Sequence, residues 1–317
     1  MKDLDTKAAN SGKFLDKYIT ADGSTRASVA LTHPETLWFN TGTLCNITCA
    51  HCYIESSPTN DALVYLTSDE VASYLDQIED RDWPVREIGF TGGEPFMNTA
   101  MPDLARLALE RGYEVLILTN AMQPMMRPKV RAALDALQRD FGARLTLRVS
   151  LDHFDRDRHD QERGAGSFDR TLAGMFWLRD VGIRMTVAGR LLWGDSEADM
   201  RAGFAAFYAE HDFAIDAEDP GETVIFPEMD MGAEVPEITT ACWGILNKSP
   251  DAVMCASSRM VVKRRGAAQP SVVACTLLPY APEFDLGHTL SEAEGAVHLN
   301  HPHCAKFCVL GGASCSA

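Results

Sequence analysis

"CNITCAHC", residues 45–52, sets three cysteines at C-x3-C-x2-C spacing. Three is an awkward number for the common uses of clustered thiols. A structural zinc site closes with four protein ligands, and disulfides take thiols in pairs. Thiolate-rich sites select zinc or iron–sulfur clusters, and a [4Fe–4S] cluster ordinarily takes four cysteines. With Cys45, Cys49 and Cys52 alone, such a cluster keeps one iron open to an external ligand. Zinc would instead be completed by His51 or another side chain. From these residues both readings stand.

The segment follows directly on TLWFNTG (37–43), the first of six short apolar runs. The others are REIGFTG (86–92), EVLILTN (114–120), LTLRVSLD (145–152), IRMTVAGRLL (183–192) and TVIFP (223–227). Their nearly continuous apolar character is that of strands buried on both faces. Helical patterns lie between them. TSDE at 67–70 is a capping box, followed by Val71, Tyr74, Leu75 and Ile78 at helical spacing. A second helix is predicted over 99–111, ending at Gly112. Others follow Pro128, Ser167 and Ser196, the two serines as N-caps.

This alternation predicts an α/β fold with a parallel sheet and right-handed crossovers. Six βα units are too few for an eight-fold barrel and suit an open, partial (β/α)6 barrel over residues 35–235, after an N-terminal extension, 1–34. Loops at the C-terminal ends of barrel strands carry active sites, and the cysteine triplet lies on one. Over residues 236–317 the periodicity fades. Six of the nine cysteines fall there: Cys242, Cys255, Cys275, Cys304, Cys308 and Cys315. Short apolar runs with many cysteines predict a small domain held by bound metal.

The chain has 317 residues and a formal net charge of −16. Nucleic acid is not expected as a partner, since phosphate contact rewards basic surface. The first 28 residues lack the apolar core of a signal peptide, and no run reaches the length of a membrane span. A cytoplasmic location is therefore expected. Thiols stay reduced there, so nine cysteines, an odd count, read as metal ligands rather than disulfides.

With His51 between Cys49 and Cys52, and Tyr53 following, the triplet resembles the C-x3-C-x-φ-C motif of the radical S-adenosylmethionine (SAM) enzymes. TGGEP (91–95) resembles their GGE motif, and Gly92, Gly93 and Glu94 would then meet the methionine amino group of SAM. Two glycines suit a backbone that must approach a ligand closely, and Glu94 offers an acceptor to an ammonium. VSLDHFDRDRHDQERGAGSF (149–168) resembles the family's fourth-strand segment. Ser150 and Asp152, two apart on one strand face, become candidates for SAM carboxylate and ribose contacts. Arg190 is a further candidate for the SAM carboxylate, and Asn120 for shaping the loop or lining the pocket. Arg148, Trp193 and Asp195 lie near strand ends and are weaker candidates for the pocket.

What the resemblance implies is a catalytic [4Fe–4S] cluster on Cys45, Cys49 and Cys52, SAM on its open iron, and hydrogen abstraction by a 5′-deoxyadenosyl radical. A flavodoxin- or ferredoxin-type electron donor is implied with it. Residues 255–315 resemble the SPASM/Twitch extensions, which carry auxiliary [4Fe–4S] clusters. The candidate ligands are Cys255, Cys275, Cys304 and Cys308, with Cys315 able to replace one of the last two and Cys242 left as a buried or pocket thiol. The same residues would also make a zinc site. The substrate is expected to be a small molecule or a ribosomal peptide. No N-terminal domain large enough to grip a leader peptide is evident in the sequence, which favours the small molecule or a peptide delivered by a separate partner. A zinc-dependent scaffold protein is the alternative from another class.

Overall fold

The computed structural model describes residues 12–228 and 233–312. After a short β1 (Ser28–Val29), each of the six apolar runs forms a strand: β2 (Thr36–Asn40), β3 (Glu87–Thr91), β4 (Glu114–Thr119), β5 (Leu145–Ser150), β6 (Arg184–Arg190) and β7 (Thr223–Phe226). All six are parallel and lie side by side in chain order. The partial (β/α)6 barrel follows from that arrangement.

The helices between the strands are α1 (Ser68–Asp80), α2 (Met101–Glu110), α3 (Pro128–Phe141), α4 (Arg156–Arg163), α5 (Ser167–Val181) and α6 (Glu197–His211). Thr67 and Glu70 form the capping box ahead of α1, and Pro128 opens α3. Ser196 caps α6, but Ser167 does not cap α5. Gly166 occupies that N-cap with φ +71°, and the Asp160 carboxylate accepts from the Gly166 and Phe168 amides and the Ser167 hydroxyl. The cap is thus supplied from seven residues upstream, where local sequence rules do not look.

Strand alternation divides the interior into two cores. Leu37, Phe39, Ile88, Phe90, Val115 and Ile117 point to the helices. Trp38 and Leu116 point the other way, into a core shared with the C-terminal segment. Gly89, level with Trp38 on β3, makes room for the indole: a Cβ there would lie 2.4 Å from the ring.

The sheet continues beyond β2, on the side away from β7. β8 (Ser258–Val262) pairs parallel with β2, Thr36 opposite Ser258, and β9 (Ser271–Val273) pairs antiparallel with β8. A short helix, α7 (Cys242–Leu246), precedes them, and β10 (Val297–His298) pairs with β1. The described chain closes with a π-helical turn over Cys304–Leu310. Among the described residues no helix is long and apolar enough to cross a membrane.

Candidate cofactor-binding site

A cavity of about 150 Å³ opens at the C-terminal ends of the parallel strands. Cys45, Cys49 and Cys52 line it from the loop after β2, and Tyr53 stands at its side, 38% exposed. The Cys45 amide donates to the Ser57 carbonyl (3.0 Å), and the Ser56 amide to Cys52 Sγ (3.3 Å), so the loop folds back on itself. Burial pushes the Cys45 thiol up to about 12 and that of Cys49 to about 11. Both are neutral at pH 7 in the metal-free chain, and metal uptake must release their protons. Among the described residues no three His, Cys, Asp or Glu side chains converge on one ion-sized point. The three thiols instead border one cavity, as a cluster larger than an ion requires. Donor type and placement fit a three-thiolate iron–sulfur centre.

The Gly-Gly-Glu segment after β3 lies against the chain that leads into this loop. The Gly93 amide donates to the Gly42 carbonyl (2.9 Å) and the Glu94 amide to the Leu44 carbonyl (3.1 Å). A Cβ on Gly93 would sit 2.4 Å from the Leu44 oxygen, and one on Gly92, at φ +149°, 2.5 Å from the Gly42 oxygen. Both glycines line the cavity, and both are also required where backbone meets backbone beneath Cys45.

Glu94 is 2% exposed and does not itself line the cavity. Its Oε1 accepts from the Phe96 amide (3.2 Å) and the Thr119 hydroxyl (2.9 Å), its Oε2 from the Asn120 amide (2.8 Å). A carboxylate accepts about four hydrogen bonds, so one direction on Oε2 is left for a further donor. Burial outweighs these bonds and raises the carboxyl to about 7. A carboxyl raised on folding stabilises the fold below its unfolded value and loses that contribution as pH rises through its folded one. Urea denaturation of the metal-free chain should therefore show stability falling between about pH 4.5 and 7 by on the order of 3 kcal/mol from this residue. Glu94→Gln should flatten that part of the profile.

Ser150 and Asp152 both line the cavity, as does Asn120, whose Nδ2 donates to Asn46 Oδ1 (2.9 Å) beside the first cysteine. Asp152 is 1% exposed and receives Arg163 through two bonds, Nε to Oδ2 at 2.5 Å and Nη2 to Oδ1 at 3.0 Å. Burial alone would raise this carboxyl, but the Arg163 guanidinium holds it below its ordinary value. Arg163 also lines the cavity beside Cys49. Sequence reasoning did not single it out, although it stands inside the fourth-strand segment. Arg148 and Arg190 line the cavity too, and Arg190 Nη1 donates to Glu162 Oε1 at 2.9 Å. Asp195 and Trp193 do not: Asp195 accepts from Arg158 (2.6 Å), and Trp193 donates to Gln161 (3.0 Å).

Cys255, Cys275, Cys304 and Cys308 meet with His303 around a second, apolar cavity of about 10 Å³. Cys255 precedes β8, Cys275 follows β9, and the last two stand four apart on the π-helical turn, a spacing that shares one helical face. Burial raises the Cys255 and Cys304 thiols, and the Cys255 and Cys275 sulfurs raise Cys304 further. The donor set has iron–sulfur character, but the volume is that of about one water, so a cluster here requires the side chains to part. Leu277 lines both cavities, and Phe307 of the same turn lines the first. Cys242 lies elsewhere, its Sγ beside the Thr239 amide (3.4 Å). Cys315 lies outside the described residues.

A family model for the Radical SAM superfamily matches residues 39–202. An AdoMet-dependent heme synthase of Methanosarcina barkeri is 34% identical over 155 residues, covering 47% of this chain and 41% of that protein. The antilisterial bacteriocin subtilosin biosynthesis protein AlbA of Bacillus subtilis is 32% identical over 145 residues, covering 45% of this chain and 30% of that protein. The match thus spans less than half the length of these curated relatives. In structure the chain resembles Streptococcus suis SuiB bound to S-adenosylmethionine, with a TM-score of 0.58 at 13% identity over 81% of this chain and 63% of that one. It also resembles anSMEcpe with bound AdoMet, at 0.56 and 14% over 82% and 77%. At such identities these two likenesses speak for the fold. With more than half of its sequence matched by the family model, the chain belongs to the Radical SAM superfamily, whose cofactors are a [4Fe–4S] cluster and S-adenosylmethionine.

Proposed function

We propose that this chain is an enzyme that cleaves SAM reductively and removes a hydrogen atom from a small-molecule or peptide substrate. When bound, cluster and SAM together supply the chemistry: one electron from an external flavodoxin- or ferredoxin-type donor splits the sulfonium into methionine and a 5′-deoxyadenosyl radical. The observation that carries this reading is the single cavity lined by Cys45, Cys49, Cys52, Gly92, Gly93 and Asp152 at the strand ends. The cysteines would hold the cluster there, and Glu94, just behind the cavity wall formed by Gly92 and Gly93, would offer its open Oε2 direction to the SAM ammonium. Ser150, Asp152 and Arg190 would position its carboxylate and ribose, and Leu118, Phe226 and Phe307 give the same cavity apolar walls that would exclude water.

The second cysteine set supports an auxiliary [4Fe–4S] cluster, making an oxidation, cross-link or rearrangement the reaction class. Peptide substrates gain support from the neighbours, since SuiB is seen with its precursor peptide SuiA and anSMEcpe with the Kp18Cys peptide. Metal analysis after anaerobic reconstitution tests the reading. About eight irons per chain are expected for two [4Fe–4S] clusters, falling to about four when Cys255, Cys275, Cys304 and Cys308 become serine. Stoichiometric zinc without iron overturns the proposal in favour of a zinc-bound scaffold.

A further inference from the structure

Helix α4 contains no apolar side chain, yet it ends directly against the cysteine loop. Its penultimate residue, Glu162, is 3% exposed and bonds three residues, Ala50, His51 and Arg190. The Glu162 carbonyl accepts from the Ala50 amide (2.9 Å). Oε1 accepts from the His51 amide (2.9 Å) and from Arg190 Nη1 (2.9 Å), and Oε2 bonds His51 Nδ1 (2.7 Å). Ala50 and His51 are the two residues between Cys49 and Cys52. One buried glutamate therefore grips the whole span between two candidate iron ligands and ties it to the end of β6.

Local rules disfavour glutamate here. A negative charge in the last turn of a helix opposes the helix dipole, and a buried carboxylate is costly unless paired. Residues that break a local rule concentrate at functional sites. The pairing found for Glu162 is spent on the cysteine loop and Arg190, not on the core of the helix.

We propose that Glu162 is a positioning residue: it sets the separation of Cys49 and Cys52 and makes their loop rigid with Arg190. The proposal rests on the cluster assignment above. It assigns Glu162 no contact with SAM or iron. Its action is to hold the backbone from which two thiolates project, so its loss loosens the cluster without removing a ligand.

The test compares the anaerobically reconstituted chain with Glu162→Ala and Glu162→Gln. The readouts are iron release to a chelator, the electron paramagnetic resonance signal of the reduced cluster with and without SAM, and thermal melting of the metal-free chain. Glu162→Ala should release iron at least about tenfold faster, the scale on which outer partners of metal ligands act. The fraction of signal that SAM shifts should fall with it. Glu162→Gln keeps an oxygen for the His51 amide and Arg190, and should recover most of both readouts. Wild-type release and an unchanged SAM-dependent signal in the alanine variant overturn the proposal. So do equal effects of both substitutions that track a lowered melting temperature, which would make Glu162 a residue of the general fold. If Glu162→Ala does not fold, His51→Phe removes only the ring's bond to Oε2: faster iron release then supports the proposal, and an unchanged rate overturns it. Failure of the wild-type chain to take up iron would sink the cluster assignment itself, a different result from any of these.

Discussion

Replacing Cys45, Cys49 and Cys52 together by alanine should reduce 5′-deoxyadenosine formation, measured anaerobically with SAM and dithionite, to the level of an enzyme-free control. The three thiols line one cavity, and among the described residues no other cysteine lines it. Without thiolates there is no ligand for the iron that SAM must meet, so the loss is complete rather than graded. The fold should survive. The loop that carries the cysteines loses the bond from the Ser56 amide to Cys52 Sγ but keeps the backbone bonds from Cys45 to Ser57 and from Ala50 to Glu162. Far-ultraviolet circular dichroism should therefore match the parent while iron content falls by about four per chain. Cleavage that persists in this variant would remove the catalytic assignment of all three residues.

The second large effect is on stability. Asp152→Ala should cost about 3–5 kcal/mol, the range for breaking a buried ion pair by removing one partner. The remaining Arg163 is 13% exposed in its side chain and would keep its charge in a cavity wall with no carboxylate across from it. Urea denaturation reads this directly. A loss below about 1 kcal/mol would mean that solvent reaches Arg163 far better than its burial implies. The pH profile carries the opposite sign from that of Glu94. Because the folded Asp152 carboxyl lies below its unfolded value of 3.8, its contribution is present above that value and disappears as pH falls through the folded one. Two carboxylates of one site thus pull the metal-free chain's stability in opposite directions across the acidic range.

The barrel was legible because its strands announce themselves. Runs such as EVLILTN are apolar on both faces, and the two cores on either side of the sheet explain why. The capping box at Thr67 and Glu70 was equally plain, being written within four residues. Helix α4 was not legible as a helix: RDRHDQER has no apolar stripe, and its stability comes from Asp155 at its cap and from tertiary bonds at its end. For the same reason Arg163 and Glu162 escaped notice, since charged residues on a charged segment look solvated until their partners are seen. The pairing of β8 with β2 left no local trace either. Its strand, SRMVV, carries a fully buried Arg259 whose guanidinium is satisfied by the nearby Cys255 and Ser258 carbonyls and by the distant Ala293 and Gly295 carbonyls. The site's motifs fixed which residues gather, while the turn of Glu94 toward Thr119 and Asn120 rather than the open cavity depends on the neighbouring strand.

The β2–β8 ladder has a consequence for distance. Cys45 lies just beyond the end of β2, and Cys255 just before the start of β8, with Thr36 and Ser258 level. Because the strands are parallel, Cys45 and Cys255 are carried at opposite ends of the same stretch of sheet. Five residues of strand span about 16 Å. An electron passing between groups held in the two cavities would travel by way of Leu277, which lines both.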